Sequence, residues 1–118
     1  MITGAHAVLF SRDAEGLRAF LRDVLGFEGV DAGGGWLIFA LPPAEVAAHP
    51  SPDGGSHQLY LMCDDIEATV ADLEAKGVEF AGPVADVGWG LLTAMNVPGG
   101  DTLGLYEPRH ETPLAPWA

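Results

Sequence analysis

The chain has 118 residues, the usual size of one domain, and 48% of them are hydrophobic, enough for a core without disulfide staples. Seventeen acidic residues against five Lys or Arg give a formal net charge of −12. That field repels phosphate backbones and draws in cations, so nucleic acid is not an expected partner.

Nor is a membrane expected, because no apolar run approaches the ~18 residues of a span and the first residues lack a basic signal-like region. Cys63 is the single cysteine, which excludes an intrachain disulfide and fits a reducing, cytoplasmic setting.

The chain opens on a short apolar run, Ala5 to Phe10, read as a strand. Asp13 then offers a helix N-cap. Leu17, Phe20, Leu21, Val24 and Leu25 follow at the spacing of one helical face, closed by Gly26, which predicts a helix near 14–25. Phe27 to Val30 reads as a strand, "DAGGG" as a turn, and "WLIFAL" (36–41) as a buried strand. Pro42 and Pro43 leave "AEVAAH" as a short edge strand at best. "PSPDGG" is the linker between two halves.

The second half repeats the order. His57 to Cys63 is a strand, and Asp64 with Glu67 makes a capping box for a helix near 65–76 whose inner face holds Ile66, Val70 and Leu73. Gly77 ends it, a strand starts at Val78, "WGLLTAMNV" is the central strand, "PGGD" a hairpin turn, and "TLGLYEP" the last strand. A shift of 51 positions places His6 on His57, Asp13 on Asp64, Gly26 on Gly77 and Glu28 on Glu79. The expected fold is therefore α+β: a single domain of two βαβββ units, about 1–50 and about 55–110, forming curved mixed sheets around a pocket.

His6 and His57 head equivalent strands, and pseudo-symmetry brings such positions toward one axis. Glu45, an acid among small apolar residues, is the best third member, and two His with one carboxylate suit a divalent ion. Glu107 is the alternative carboxylate, although its parity opposes Gly104. Asp101 reads as a turn residue, and His49 and His110 as surface. Phe10, Trp36, Phe39, Leu59, Trp89 and Tyr106 are candidate pocket walls. Cys63, beside Asp64 and Asp65, is a poor thiolate and a better filler.

The segments "AHAVLFSRDAEGLRAFLRDVLGFEG", "HQLYLMCDDIEATVADLEAKGVEF" and "PGGDTLGLYEP" resemble the glyoxalase / bleomycin-resistance / dioxygenase superfamily, the vicinal oxygen chelate fold. The resemblance implies a homodimer of paired βαβββ units around a pocket for a small molecule. It also implies one divalent ion per site (Zn, Ni, Fe or Mn), held by His6, Glu45 and His57, with Glu45 also catalytic. The family's second-unit carboxylate falls at Gly104, so a glutamate introduced there is expected to tighten metal binding.

Three readings follow from the resemblance. The main one is a metal-dependent lyase or isomerase of glyoxalase type, acting on an oxygen-chelating substrate. The others are a non-catalytic small-molecule or cationic-drug binding protein resembling bleomycin-resistance proteins, and a ring-cleaving dioxygenase-like enzyme.

Overall fold

The computed structural model describes residues 7–35, 37–45, 47, 52 and 57–110. The first helix, α1 (Ala14–Ala19), starts where Asp13 accepts a hydrogen bond from the Gly16 amide at 2.9 Å. It continues as a π-helical turn, Phe20–Val24, in which the Leu25 amide reaches back to the Phe20 carbonyl at 3.1 Å. Leu17 and Phe20 are buried, and Leu21, Val24 and Leu25 pack against the same core, so the helical stripe read from the sequence is the one used. Gly26 follows with φ of 74°, a left-handed closure that favours glycine.

Strands β1 (Gly29–Asp31) and β2 (Leu37–Phe39) form an antiparallel two-stranded sheet. This is less strand than the sequence suggests. Residues 7–10 are not a strand, and Phe10 is 89% exposed. The expected run from Ala5 begins outside the described residues, and Ala44, Glu45 and Ala47 are not in a strand either. An apolar run forms a strand only when a neighbour takes its backbone hydrogen bonds.

The second unit has more strand, although the run expected over 57–63 is a strand only at Tyr60–Met62, and no strand starts at Val78, where Phe80 makes just an isolated bridge to Met95. β3 (Tyr60–Met62), α2 (Ile66–Ala75), β4 (Ala85–Asp86), β5 (Gly90–Val97) and β6 (Asp101–Pro108) give a four-stranded sheet of order β3-β6-β5-β4. β3 runs parallel to β6, while β5 and β6 are an antiparallel hairpin. Helix α2 is capped by Asp65, whose carboxylate accepts from the Ala68 amide at 3.1 Å. The cap thus lies one residue later than Asp64. The Glu67 capping box does not form, because three residues on from Asp65 stands Ala68.

Register sorts the sheet into two faces. Leu61, Thr93, Met95, Leu103 and Leu105 point toward the helices and form the core with Leu17, Phe20, Ile66, Leu73 and Val78. Ile66 and Met95 are fully buried. The opposite face carries Tyr60, Met62, Leu92, Ala94, Gly104 and Tyr106. The shared core joins the halves, and among the described residues the Ser11 hydroxyl donates to the Pro98 carbonyl at 3.1 Å and the Lys76 ammonium to the Val24 carbonyl at 3.4 Å. The architecture is α+β, with its open sheet face turned away from both helices.

Candidate functional site

The open face of the sheet floors a cleft of about 600 Å³. Its walls include His57, Gln58 and Tyr60 from the β3 side, Gly82 and Pro83 from the loop before β4, and Leu92 on β5. Gly104 lies in the floor, opposite Tyr60 in the parallel register. A side chain at 104 would run into the Tyr60 ring, with Cε1 at 2.8 Å from an added Cβ. Gly104 is therefore the seat of an aromatic ring, the close approach that a glycine inside a strand often marks.

From that seat Tyr60 joins two other rings. Tyr60, Trp89 and Tyr106 pack edge to face, with centroids 6.1, 5.8 and 5.3 Å apart. Tyr60 donates its hydroxyl to Gln58 Oε1 at 2.7 Å, which fixes the ring's tilt. Tyr106 is buried and donates its hydroxyl to Glu45 Oε2 at 3.0 Å. Burial first, then the neighbouring Glu45 carboxylate, pushes the Tyr106 phenol up to about 12, so it remains a hydrogen-bond donor at neutral pH. His110 stacks on Tyr106 and brings Nε2 within 3.5 Å of Glu45 Oε2.

The expected site residues are thus divided. Glu45, Trp89 and Tyr106 converge. His57 lines the cleft and is exposed. Leu59 borders the cleft and also packs against the core. Phe39 is half-buried on β2, with its ring over Gly29, while Phe10 projects outward. His6 and Trp36 lie outside the described residues, as does His49. His110 is exposed, as the sequence suggests, and it also stacks on Tyr106. Tyr60 was missed altogether. The signal that finds it is its place beside a strand glycine.

A divalent ion needs several donors converging on one point. Among the described residues, no three His, Cys, Asp or Glu side chains do so. Glu45 faces a phenol and an imidazole, and position 104 holds a ring instead of a carboxylate. The His6, Glu45 and His57 set includes a residue outside the described ones.

Glu107, the alternative ligand, lies on the helix side of the sheet. Its Oε1 accepts from the Ile66 amide at 3.1 Å, taking up a donor at the start of α2, and Oε2 accepts from Arg109 at 3.3 Å. Glu107→Ala should cost about 1.5–3 kcal/mol in urea unfolding, the range for a hydrogen bond to a charged group. The same variant should leave Zn(II) calorimetry unchanged, whereas a lost metal signal would place Glu107 in a metal site. Cys63 is half-buried and its thiol donates to the Tyr106 carbonyl at 3.5 Å. Burial pushes that thiol's pKa up, and the charges of Glu107, Asp64 and Asp65 add to the effect, which disfavours a thiolate.

Solved structures share this architecture. TnmS3, an antibiotic binding protein from Streptomyces sp. CB03234, is 29% identical over 92% of this chain and 99% of its own, with a TM-score of 0.61. A glyoxalase/bleomycin resistance protein from the same organism is 29% identical over 81% of this chain and 92% of its own, at 0.55. Lactoylglutathione lyase from Agrobacterium tumefaciens shares the fold at 18% identity and a TM-score of 0.63, over 89% of this chain and 92% of its own. No curated protein sequence matches. The family profile, in contrast, runs from residue 4 to residue 110, and the chain belongs to the Glyoxalase/Bleomycin resistance protein/Dioxygenase superfamily.

Proposed function

We propose that the protein binds and sequesters a small molecule without transforming it. The observation that carries this reading is the Tyr60 ring seated on Gly104, which gives the cleft an aromatic floor at the position where the sequence resemblance expects a second carboxylate. Concave surfaces that combine apolar and aromatic side chains with placed polar groups are what ligand-binding proteins present. Similarity to an antibiotic binding protein over nearly both chain lengths supports the same reading. A homodimer belongs to it, because Val8 and Phe10 leave apolar surface of the kind a second copy covers, and sedimentation velocity at micromolar concentration checks that part.

The experiment is a calorimetric and thermal-shift screen of antibiotics, dicarbonyl–thiol adducts and catechols, run in EDTA and again with Zn(II), Ni(II), Mn(II) or anaerobic Fe(II). The expected result is stoichiometric binding in EDTA, with the ligand recovered chemically unchanged. Metal-dependent turnover of an adduct or a catechol, lost in each of His6→Ala, Glu45→Ala and His57→Ala, would overturn the reading in favour of the glyoxalase-like or dioxygenase-like enzyme.

A further inference from the structure

The cleft and the rest of the surface differ in charge. The chain carries 17 acidic residues and five Lys or Arg, yet none of the described residues lining the cleft is one of these. Glu79 and Asp101 lie near it in the sequence, but both are exposed and stand outside its walls. The wall farthest from β3 is held in place by two bonds. The Ala81 amide donates to the Ala94 carbonyl at 2.9 Å, and the buried Thr93 hydroxyl to the Gly82 carbonyl at 3.0 Å. The cleft thus crosses β3, β6, β5 and the segment before β4, about 14 Å at the usual strand spacing.

Register arranges the polar groups inside it. Gln58 and Thr102 each stand two residues before the paired Tyr60 and Gly104, at one end of the cleft. The Tyr60 hydroxyl takes up Gln58 Oε1, which leaves the amide NH2 as a donor. Among the described residues, neither that NH2 nor the Thr102 hydroxyl has a hydrogen-bond partner. Leu92, paired with Tyr106, lies toward the other end, and Pro83 adds apolar wall.

A cation leaving water in this cleft meets no carboxylate, and an anion meets no Lys or Arg, so each keeps an uncompensated desolvation cost. The net charge of −12 acts from outside the walls, where physiological salt screens it over about 8 Å. It draws cations to the surface without giving them a contact partner inside.

We propose that the cleft selects an uncharged aromatic ligand that carries a carbonyl group on its edge. This rests on the binding-protein reading and names the chemical class of its ligand. The ring system packs against Tyr60 and Leu92, and the carbonyl oxygen accepts from the Gln58 amide and the Thr102 hydroxyl.

The test uses the full chain at about pH 8, above the ordinary titration range of histidine, and about 150 mM salt. Three probes of one shape are titrated by ligand-observed NMR: 2-naphthamide, the 2-naphthoate anion and the naphthalene-2-carboxamidinium cation. The amide should bind about 5-fold or more tighter than either charged isostere. Thr102→Val should weaken it about 2- to 10-fold, the loss of one hydrogen bond. Thr102→Asp places a carboxylate in the wall and should reverse the order, with the amidinium bound more tightly than the amide. Thr102 is exposed enough for both variants to keep the fold, which circular dichroism verifies. A charged isostere that equals or exceeds the amide on the unaltered protein overturns the proposal, as does no amide binding up to about 5 mM. An unchanged order in Thr102→Asp overturns it too, because the probes then bind elsewhere. A charged antibiotic held in the cleft and recovered unchanged would sink the uncharged class and leave the sequestration reading standing. Turnover of a ligand by a protein that still prefers the amide would do the reverse.

Discussion

Gly104→Glu should destabilise the protein by about 1–3 kcal/mol, the usual cost of overpacking a filled site. The backbone at 104 is ordinary strand, so the cost comes from sterics alone: the new Cβ enters the volume of the Tyr60 ring. The ring must then leave its seat and break its contacts with Trp89 and Tyr106. Metal binding should not tighten, contrary to what the sequence motif suggests, because the added carboxylate has no room to reach the face. The decisive control is Tyr60→Ala in the same background. If ring and side chain compete for one volume, the double variant should recover about 0.5–3 kcal/mol relative to the sum of the single changes. Strict additivity would show that the Tyr60 ring does not occupy the space above Gly104.

Ile66→Ala should have a larger effect, about 2–5 kcal/mol, and should lower the melting temperature by roughly 10 °C or more. Ile66 is fully buried at the first position of α2, where its side chain enters the core beneath β6 and its amide is held by Glu107. Truncation leaves a cavity under the strand that carries Gly104 and Tyr106, so the aromatic floor should loosen together with the core. Exposed Glu67→Ala, one residue along the same helix, should stay within about 0.5 kcal/mol and serves as the control. Urea unfolding reads both variants, and a loss below about 1 kcal/mol for Ile66→Ala would contradict the assigned core.

The helices and the β5–β6 hairpin were legible because their signals are local. Asp13, the stripe from Leu17 to Leu25 and Gly26 define α1 within a few turns, and "PGGD" fixes the hairpin register by itself. The first strand was not legible, since apolar character in "AVLF" says nothing about which neighbour takes its hydrogen bonds. The cap of α2 lies one residue later than read because Asp64 and Asp65 are both competent caps, and the Asp65 carboxylate is the one that accepts from the Ala68 amide.

The site was legible only in part. "HQLYLMC" carries large apolar residues on both faces of the strand, so parity alone favours neither, and the sequence reading placed Leu59 and not Tyr60 toward the pocket. The parallel pairing of Tyr60 with Gly104 resolves the ambiguity, and that pairing spans 44 residues. Glu45 was singled out for an acid's unusual company, while its partner Tyr106 stands 61 residues on. His110 is the surface residue its place near Pro108 suggests, and its stacking on Tyr106 has no signal in the sequence.

The central claim is that ligand meets the protein on the aromatic floor and needs no metal to do so. It is tested most directly by intermolecular nuclear Overhauser effects, recorded in EDTA with the tightest ligand from the binding screen. The account predicts contacts from ligand protons to the rings of Tyr60 and Trp89, lost in Gly104→Glu because the floor is displaced. Contacts confined to other surfaces, or binding that vanishes in EDTA and returns with a divalent ion, would contradict it.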